Sequence, residues 1–141
     1  MTDVLATSHT GGCQCGAVRY EVTGEPAYVA LCHCTDCRKS AGAPVVAWAA
    51  FPQAQFALTQ GEPRSFISSG AAMRSFCPNC GTGLFYRNPD VLPGLVDIQS
   101  ATLDDPGALP PQIHVQVAER LHWMTDTGAL PAFERYPGAE G

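Results

Sequence analysis

The stretch CHCTDC, residues 32–37, places three cysteines within six positions. Three sulfurs cannot all pair with one another as disulfides. Three thiolates can hold a metal ion and leave one coordination position open. Two further groups, CQC at 13–15 and CPNC at 77–80, bring the total to seven Cys. No export signal is legible at the N-terminus, so the expected compartment is the reducing cytoplasm, where a disulfide framework does not persist. An odd count also leaves at least one thiol over. Metal ligation is the better account of this density.

Zinc takes four tetrahedral ligands with Zn–S near ~2.3 Å, which sets neighbouring sulfurs about 3.8 Å apart. A C-x-x-C turn meets that spacing. In CPNCG, Pro78 fixes φ inside the turn and Gly81 can take the left-handed conformation after the second ligand. The two pairs, Cys13 with Cys15 and Cys77 with Cys80, make one closed four-thiolate site. That site would tie together segments separated by residues 16–76, which suits a structural role. Cys32, Cys34 and Cys37 remain as a second site with three protein ligands, and an open position reads as catalytic. Three thiolates weaken the Lewis acidity of the metal, so a soft incoming thiolate suits this site better than hydroxide. Arg38 and Lys39, which follow Cys37, are the expected offset to its charge.

Other readings of the same residues stay open. The triplet could be three buried, inert thiols, or could borrow a histidine and become a second closed site. CPNC could be a redox pair, although no helix is expected to begin at Cys77. A methionine sulfoxide reductase needs a free nucleophilic cysteine and a resolving one, and seven ligands leave neither. A non-enzymatic zinc module, used as a scaffold or interaction domain, is the principal alternative to an enzyme.

The elements that must position these groups are mostly strands. Residues 16–22 alternate Val18, Tyr20 and Val22 with Ala17, Arg19 and Glu21, the period of a half-buried strand. A second strand at 27–31 runs into the CHCTDC cluster, and residues 36–42 make one or two helical turns ended by Gly42. Residues 44–51 read as a buried strand, and 54–61 with 64–70 as a hairpin. MRSF, 73–76, leads into the CPNC knuckle and a strand after it; 95–103 and 113–119 are the remaining strands. The fold class is therefore mostly β, a single domain with short strands and many loops. Residues 1–11 form a lead-in, 12–136 the domain and 137–141 a mobile tail.

Composition excludes several classes of function. With 15% charged and 45% hydrophobic residues the chain is not intrinsically disordered. A net charge of −5 and no basic run beyond Arg38 and Lys39 argue against nucleic acid and against a polybasic membrane anchor. No apolar run approaches the ~20 residues of a membrane span.

His33, between two ligands in an extended segment, points away from the metal, beside the site or in solvent. His114, on the face of its strand opposite Ile113, Val115 and Val117, is a sheet histidine and the best general-base candidate. Trp48 and Phe51 belong to the core, His122 and Trp123 to the surface. Arg74 pairs with a local acid. The segment SSG at 68–70 is a turn, and Asp104 and Asp105 open a turn without forming a catalytic pair.

The segments GGCQCGAVRYEV, CHCTDCRKSAGAP, SGAAMRSFCPNCGT and LDDPGALPPQIHV together resemble the glutathione-dependent formaldehyde-activating enzyme family, which is also grouped with centromere protein V. The resemblance runs from about Gly12 to about Trp123. It implies a zinc-binding β-tent fold with two zinc ions per chain. By it, Cys13, Cys15, Cys77 and Cys80 match the structural zinc ligands, and Cys32, Cys34 and Cys37 the ligands of a catalytic zinc with an open fourth position. It also implies a carbon–sulfur lyase that joins glutathione and formaldehyde as S-hydroxymethylglutathione, with a small thiol and a small aldehyde as partners. Glutathione is anionic and requires cations; Arg38, Lys39, Arg64 and Arg74 are those near the motifs.

Overall fold

The computed structural model describes residues 7–138. Along the chain run β1 (Ser8–Gly12), β2 (Arg19–Thr23), β3 (Tyr28–Cys32), α1 (Thr35–Ala41), β4 (Val46–Pro52), β5 (Phe56–Gln60), β6 (Arg64–Ser69), β7 (Ala72–Phe76), β8 (Gly83–Arg87), β9 (Leu95–Gln99) and β10 (Ile113–Val115). Short 3-10 turns fill several connections. The mostly β class expected from the sequence is the one observed. Residues 8–11 of the expected lead-in belong to β1; residues 1–6, and 139–141 of the expected tail, lie outside the described residues.

Two sheets divide the strands. The smaller has the order β1-β2-β5, the larger β10-β3-β4-β9-β8-β7-β6. In the larger sheet all neighbours are antiparallel except β10 against β3. Period-two alternation gives this sheet two distinct faces. Val29, Ala49, Ile98 and Phe85 are registered neighbours across four strands, and Phe51 and Val96 form the adjacent row. All are buried against Val18, Tyr20 and Val22 of the small sheet and the loop before it. The rings of Tyr20 and Phe85 meet edge to face at 5.3 Å and those of Phe56 and Phe85 at 4.9 Å, closing the layer between the sheets. The opposite face carries Cys32, Val46 and Trp48, which pack with Cys37 as a second buried cluster. Burial on both faces is why β4 reads as a continuous apolar run rather than an alternation.

Several expected elements change. Residues 54–61 and 64–70 are not a hairpin: β5 pairs with β2, and β6 with β7. Phe56 on β5 packs on Tyr20 and Phe85, so core burial draws this strand to the small sheet. The chain crosses between sheets at Gly61, whose φ is +77° and whose missing Cβ would run into the carbonyl of Ala17. Gly61→Ala should therefore cost about 2–3 kcal/mol, from backbone strain plus overpacking, read as a lower urea midpoint with unchanged slope. The 16–22 strand begins only at Arg19, because residues 13–18 curl back around Cys13. MRSF is itself strand β7, inside the large sheet. The 95–103 strand stops at Gln99 and continues as a 3-10 turn. The 113–119 strand stops at Val115, because Gln116 turns left-handed at φ 58°. Val117 consequently does not share a face with Ile113 and Val115.

Candidate functional site

The first cysteine cluster is made by two loops. Cys13, Cys15, Cys77 and Cys80 bring their sulfurs within 4.8 Å of one another. Cys13 and Cys15 Sγ are 3.6 Å apart, Cys15 and Cys77 Sγ 3.8 Å, the edge length of a zinc tetrahedron. Gly81 has φ +84° and donates to the carbonyl of Cys77 at 2.8 Å, as the CPNCG turn requires. The amides of Asn79 and Cys80 point at Cys77 Sγ, at 3.3 and 3.4 Å, and that of Val18 at Cys13 Sγ, at 3.2 Å. Hydrogen bonds of this kind disperse thiolate charge. Hydrogen bonding from Thr82 is the largest influence on Cys80 and draws its pKa down to about 5. The donor set fits a closed four-thiolate site.

The second cluster sits at the joint between β3 and α1. Cys32 ends the strand, Cys34 is the helix N-cap, accepting from the amide of Cys37 at 3.2 Å, and Cys37 lies in the first turn. Gly42, left-handed at φ 66°, ends the helix as expected. The three sulfurs lie within 4.8 Å of one another, with Cys32 and Cys37 Sγ at 3.6 Å. Hydrogen bonding with Cys32 draws the pKa of Cys37 down to about 5, against burial and with help from Cys34 and Arg74. Hydrogen bonding with Cys37 pushes the Cys32 thiol up, and burial pushes that of Cys34 up, so without a metal the triplet holds one ready thiolate, on Cys37.

All three cysteines line a cavity of about 420 Å³. Its floor is the site face of the large sheet, where Tyr28, Ala50, Asp97, Tyr86 and Arg74 are successive registered neighbours on β3, β4, β9, β8 and β7. Trp48 stands one pleat further along, its ring 5.8 Å from that of Tyr86. Arg74 is 6% exposed. It pairs with Asp36 at 2.8 Å, bonds Ser68 Oγ at 2.8 Å, lies 3.6 Å from Cys37 Sγ and stacks 4.7 Å over Tyr86. The expected local pairing of Arg74 is thus present. The cation beside the triplet is Arg74 rather than Arg38 or Lys39. Arg38 instead bonds Thr35 Oγ1 and the carbonyls of His33 and Glu119.

His33 is buried, not solvent-facing, and its Nε2 lies 2.9 Å from Nδ1 of His114. That hydrogen bond occupies one ring nitrogen of the candidate base, Nδ1, and His114 is not among the residues lining the cavity. Trp48 and Phe51 are buried as expected, on opposite faces of β4. Ser68 and Ser69 belong to β6, with both hydroxyls on Asp36 Oδ2; of the three residues only Gly70 lies in the turn, which it makes with Ala71. Asp104 leaves its turn to pair with Arg19 and Thr10, bracing β1 and β2 far from the triplet.

Asp97 is the residue sequence reasoning missed. It is 5% exposed, and its Oδ1 has no hydrogen-bond partner. Burial, then the charge of Cys37, opposed by Arg74, pushes its pKa up from 3.8 to about 7. The folded protein therefore keeps this proton over a pH range where the unfolded chain has lost it. Stability from the neutral carboxyl is complete at low pH and declines as pH rises through that window. At about 1.4 kcal/mol per pKa unit, Asp97→Asn should stabilise the fold at pH 8 by roughly 2–4 kcal/mol, with the gain gone near pH 4. Thermal melts of both proteins across that range check this.

The fold and the two clusters define a class: a small β domain with one four-cysteine and one three-cysteine group, each able to hold a metal ion. The chain belongs to the family of the glutathione-dependent formaldehyde-activating enzyme, which residues 8–119 match. It is 28% identical over 123 residues to a Halomonas elongata protein provisionally named glutathione-dependent formaldehyde-activating enzyme, covering 81% of this chain and 78% of that one. It is 30% identical over 78 residues to an uncharacterized lyase of Schizosaccharomyces pombe, covering 55% of this chain and 56% of that protein. A Rhodobacter sphaeroides crystal structure shares the fold, with a TM-score of 0.60 at 24% identity over 75% of this chain and 99% of that one. No helix among the described residues is long and apolar enough to cross a membrane.

Proposed function

We propose that the chain binds two zinc ions, one held by Cys13, Cys15, Cys77 and Cys80 for structure, the other by Cys32, Cys34 and Cys37 for chemistry, and that it acts as a carbon–sulfur lyase or synthase on a thiol–aldehyde adduct. The observation that carries this reading is the cavity that all three cysteines of the triplet line. When bound there, zinc supplies the positive charge that keeps a small thiol ionised at neutral pH. In the proposed reaction the thiolate sulfur adds to the carbonyl carbon of a small aldehyde and the oxygen takes up a proton. In reverse the hydroxyl loses that proton and the C–S bond breaks.

The chain's own residues prepare the site. Arg74, buried and fixed by Asp36, places its positive charge beside Cys37 and disfavours protonation of the thiolate set. Trp48 and Tyr86 wall the cavity with apolar surface, limiting the water that competes for the aldehyde. The family name and the names of the relatives support the lyase class, glutathione and formaldehyde being the substrates those names carry. Titrating the zinc-loaded protein with small thiols and then small aldehydes tests the reading. Thiol-dependent aldehyde consumption with a detectable adduct is expected. Two inert zincs, no thiol dependence and no adduct would instead make the domain a structural module.

A further inference from the structure

Asp97 carries a buried carboxylate oxygen with no partner, on the floor of the cavity that the triplet opens into. Buried polar atoms are nearly always paired, so an orphan on a cavity-lining residue offers an acceptor to a ligand's donor. Its surroundings narrow the donor's chemistry. The neighbour on β4 is Ala50, a small apolar residue that offers the carboxylate no hydrogen bond from its side chain. Tyr86 lies beside it on β8 and already carries Arg74 over its ring; Tyr28 and Trp48 also line the cavity, and aromatic faces attract cations.

The charges lining the cavity point the same way. Asp36, Asp97 and Glu119 contribute carboxylates, and Arg74 is the one guanidinium among the lining residues. Arg74 is already committed to Asp36, Ser68 and Cys37. Three thiolates around a divalent ion add one more net negative charge. A thiol bearing carboxylates, such as the glutathione of the family name, meets this field without an uncommitted cation in the cavity. With Asp36 and Arg74 offsetting each other, a thiol bearing an ammonium group meets the charge of the thiolates and of Glu119, and the carboxyl of Asp97.

The geometry points to a small aminothiol, one sulfhydryl with one ammonium and no free carboxylate, as the ligand of the open site, with Asp97 accepting the hydrogen bond of its ammonium. This rests on the reading that the triplet's metal takes a thiolate, and it names the class of thiol. Asp97 is thereby a specificity residue. An ammonium facing it also favours its charged form, offsetting the burial that holds its proton.

Calorimetric titration of the full zinc-loaded chain near pH 8 with cysteamine, 2-mercaptoethanol, mercaptoacetate and glutathione tests the inference. Cysteamine should bind tightest, and mercaptoacetate and glutathione each about tenfold or more weaker, the range of one charge-assisted hydrogen bond. Cysteamine also ionises more readily at sulfur, so the deciding figure is its preference over 2-mercaptoethanol in wild type against Asp97→Asn. That preference should fall about tenfold in the variant, while zinc content and melting show it folded. An unchanged preference, or tightest binding by glutathione, overturns the aminothiol assignment while leaving the thiol site standing. Binding by none of the four overturns the thiol site itself, and the inference with it.

Discussion

Cys80→Ser leaves the protein unfolded or insoluble, although Cys80 is an exposed residue. An exposed cysteine replaced by serine ordinarily changes stability by less than ~0.5 kcal/mol. The expectation here differs because its sulfur belongs to the cluster that joins residues 13–15 to residues 77–80. Structural zinc binding contributes on the order of 10 kcal/mol of folding free energy, comparable with the whole stability of a domain of this size. Serine oxygen is a poor zinc ligand, so much of that contribution goes. Circular dichroism and zinc content of the purified variant check this. A Cys80→Ser protein with wild-type melting behaviour contradicts a four-cysteine structural site.

Cys34→Ser has the opposite profile. Zinc content should fall from about two per chain to about one, and thiol binding should disappear, while the fold survives. The three cysteines lie within one short segment and would cross-link no distant parts of the chain. Cys34 is also the N-cap of α1, and serine is among the best N-caps, so the helix keeps its first-turn hydrogen bond. Paired metal analysis and thermal melts of the two serine variants decide the matter. If Cys34→Ser unfolds and Cys80→Ser does not, the roles of the two clusters are exchanged.

The cysteine clusters were legible in the sequence because ligand spacing is local. CPNCG encodes its turn within five residues, and CHCTDC encodes its strand end, N-cap and first helical turn within six. The second strand and the buried β4 were legible from their apolar runs. What local pattern cannot supply is partner choice. Phe56 reads equally well as part of a hairpin with 64–70 or as a core residue of another sheet, and burial against Tyr20 and Phe85 decides it. The cavity floor was hidden for the same reason. Tyr28, Ala50, Asp97, Tyr86 and Arg74 come from five strands and share a row only once register is fixed. One signal was present: Asp97 is a lone acid between Val96 and Ile98 in an apolar strand, where a charge has no business without a purpose.

A closed four-cysteine site and an open three-cysteine site that receives a thiol should lose zinc at different rates. The most direct measurement is the time course of zinc release to a chelator, followed with and without a small thiol such as cysteamine. Release should be biphasic, with about one zinc leaving first, because an open position lets the chelator enter before any cysteine leaves. Added thiol should slow that first phase by filling the position and leave the second phase unchanged. Simultaneous loss of both zincs, or a first phase indifferent to thiol, contradicts the account.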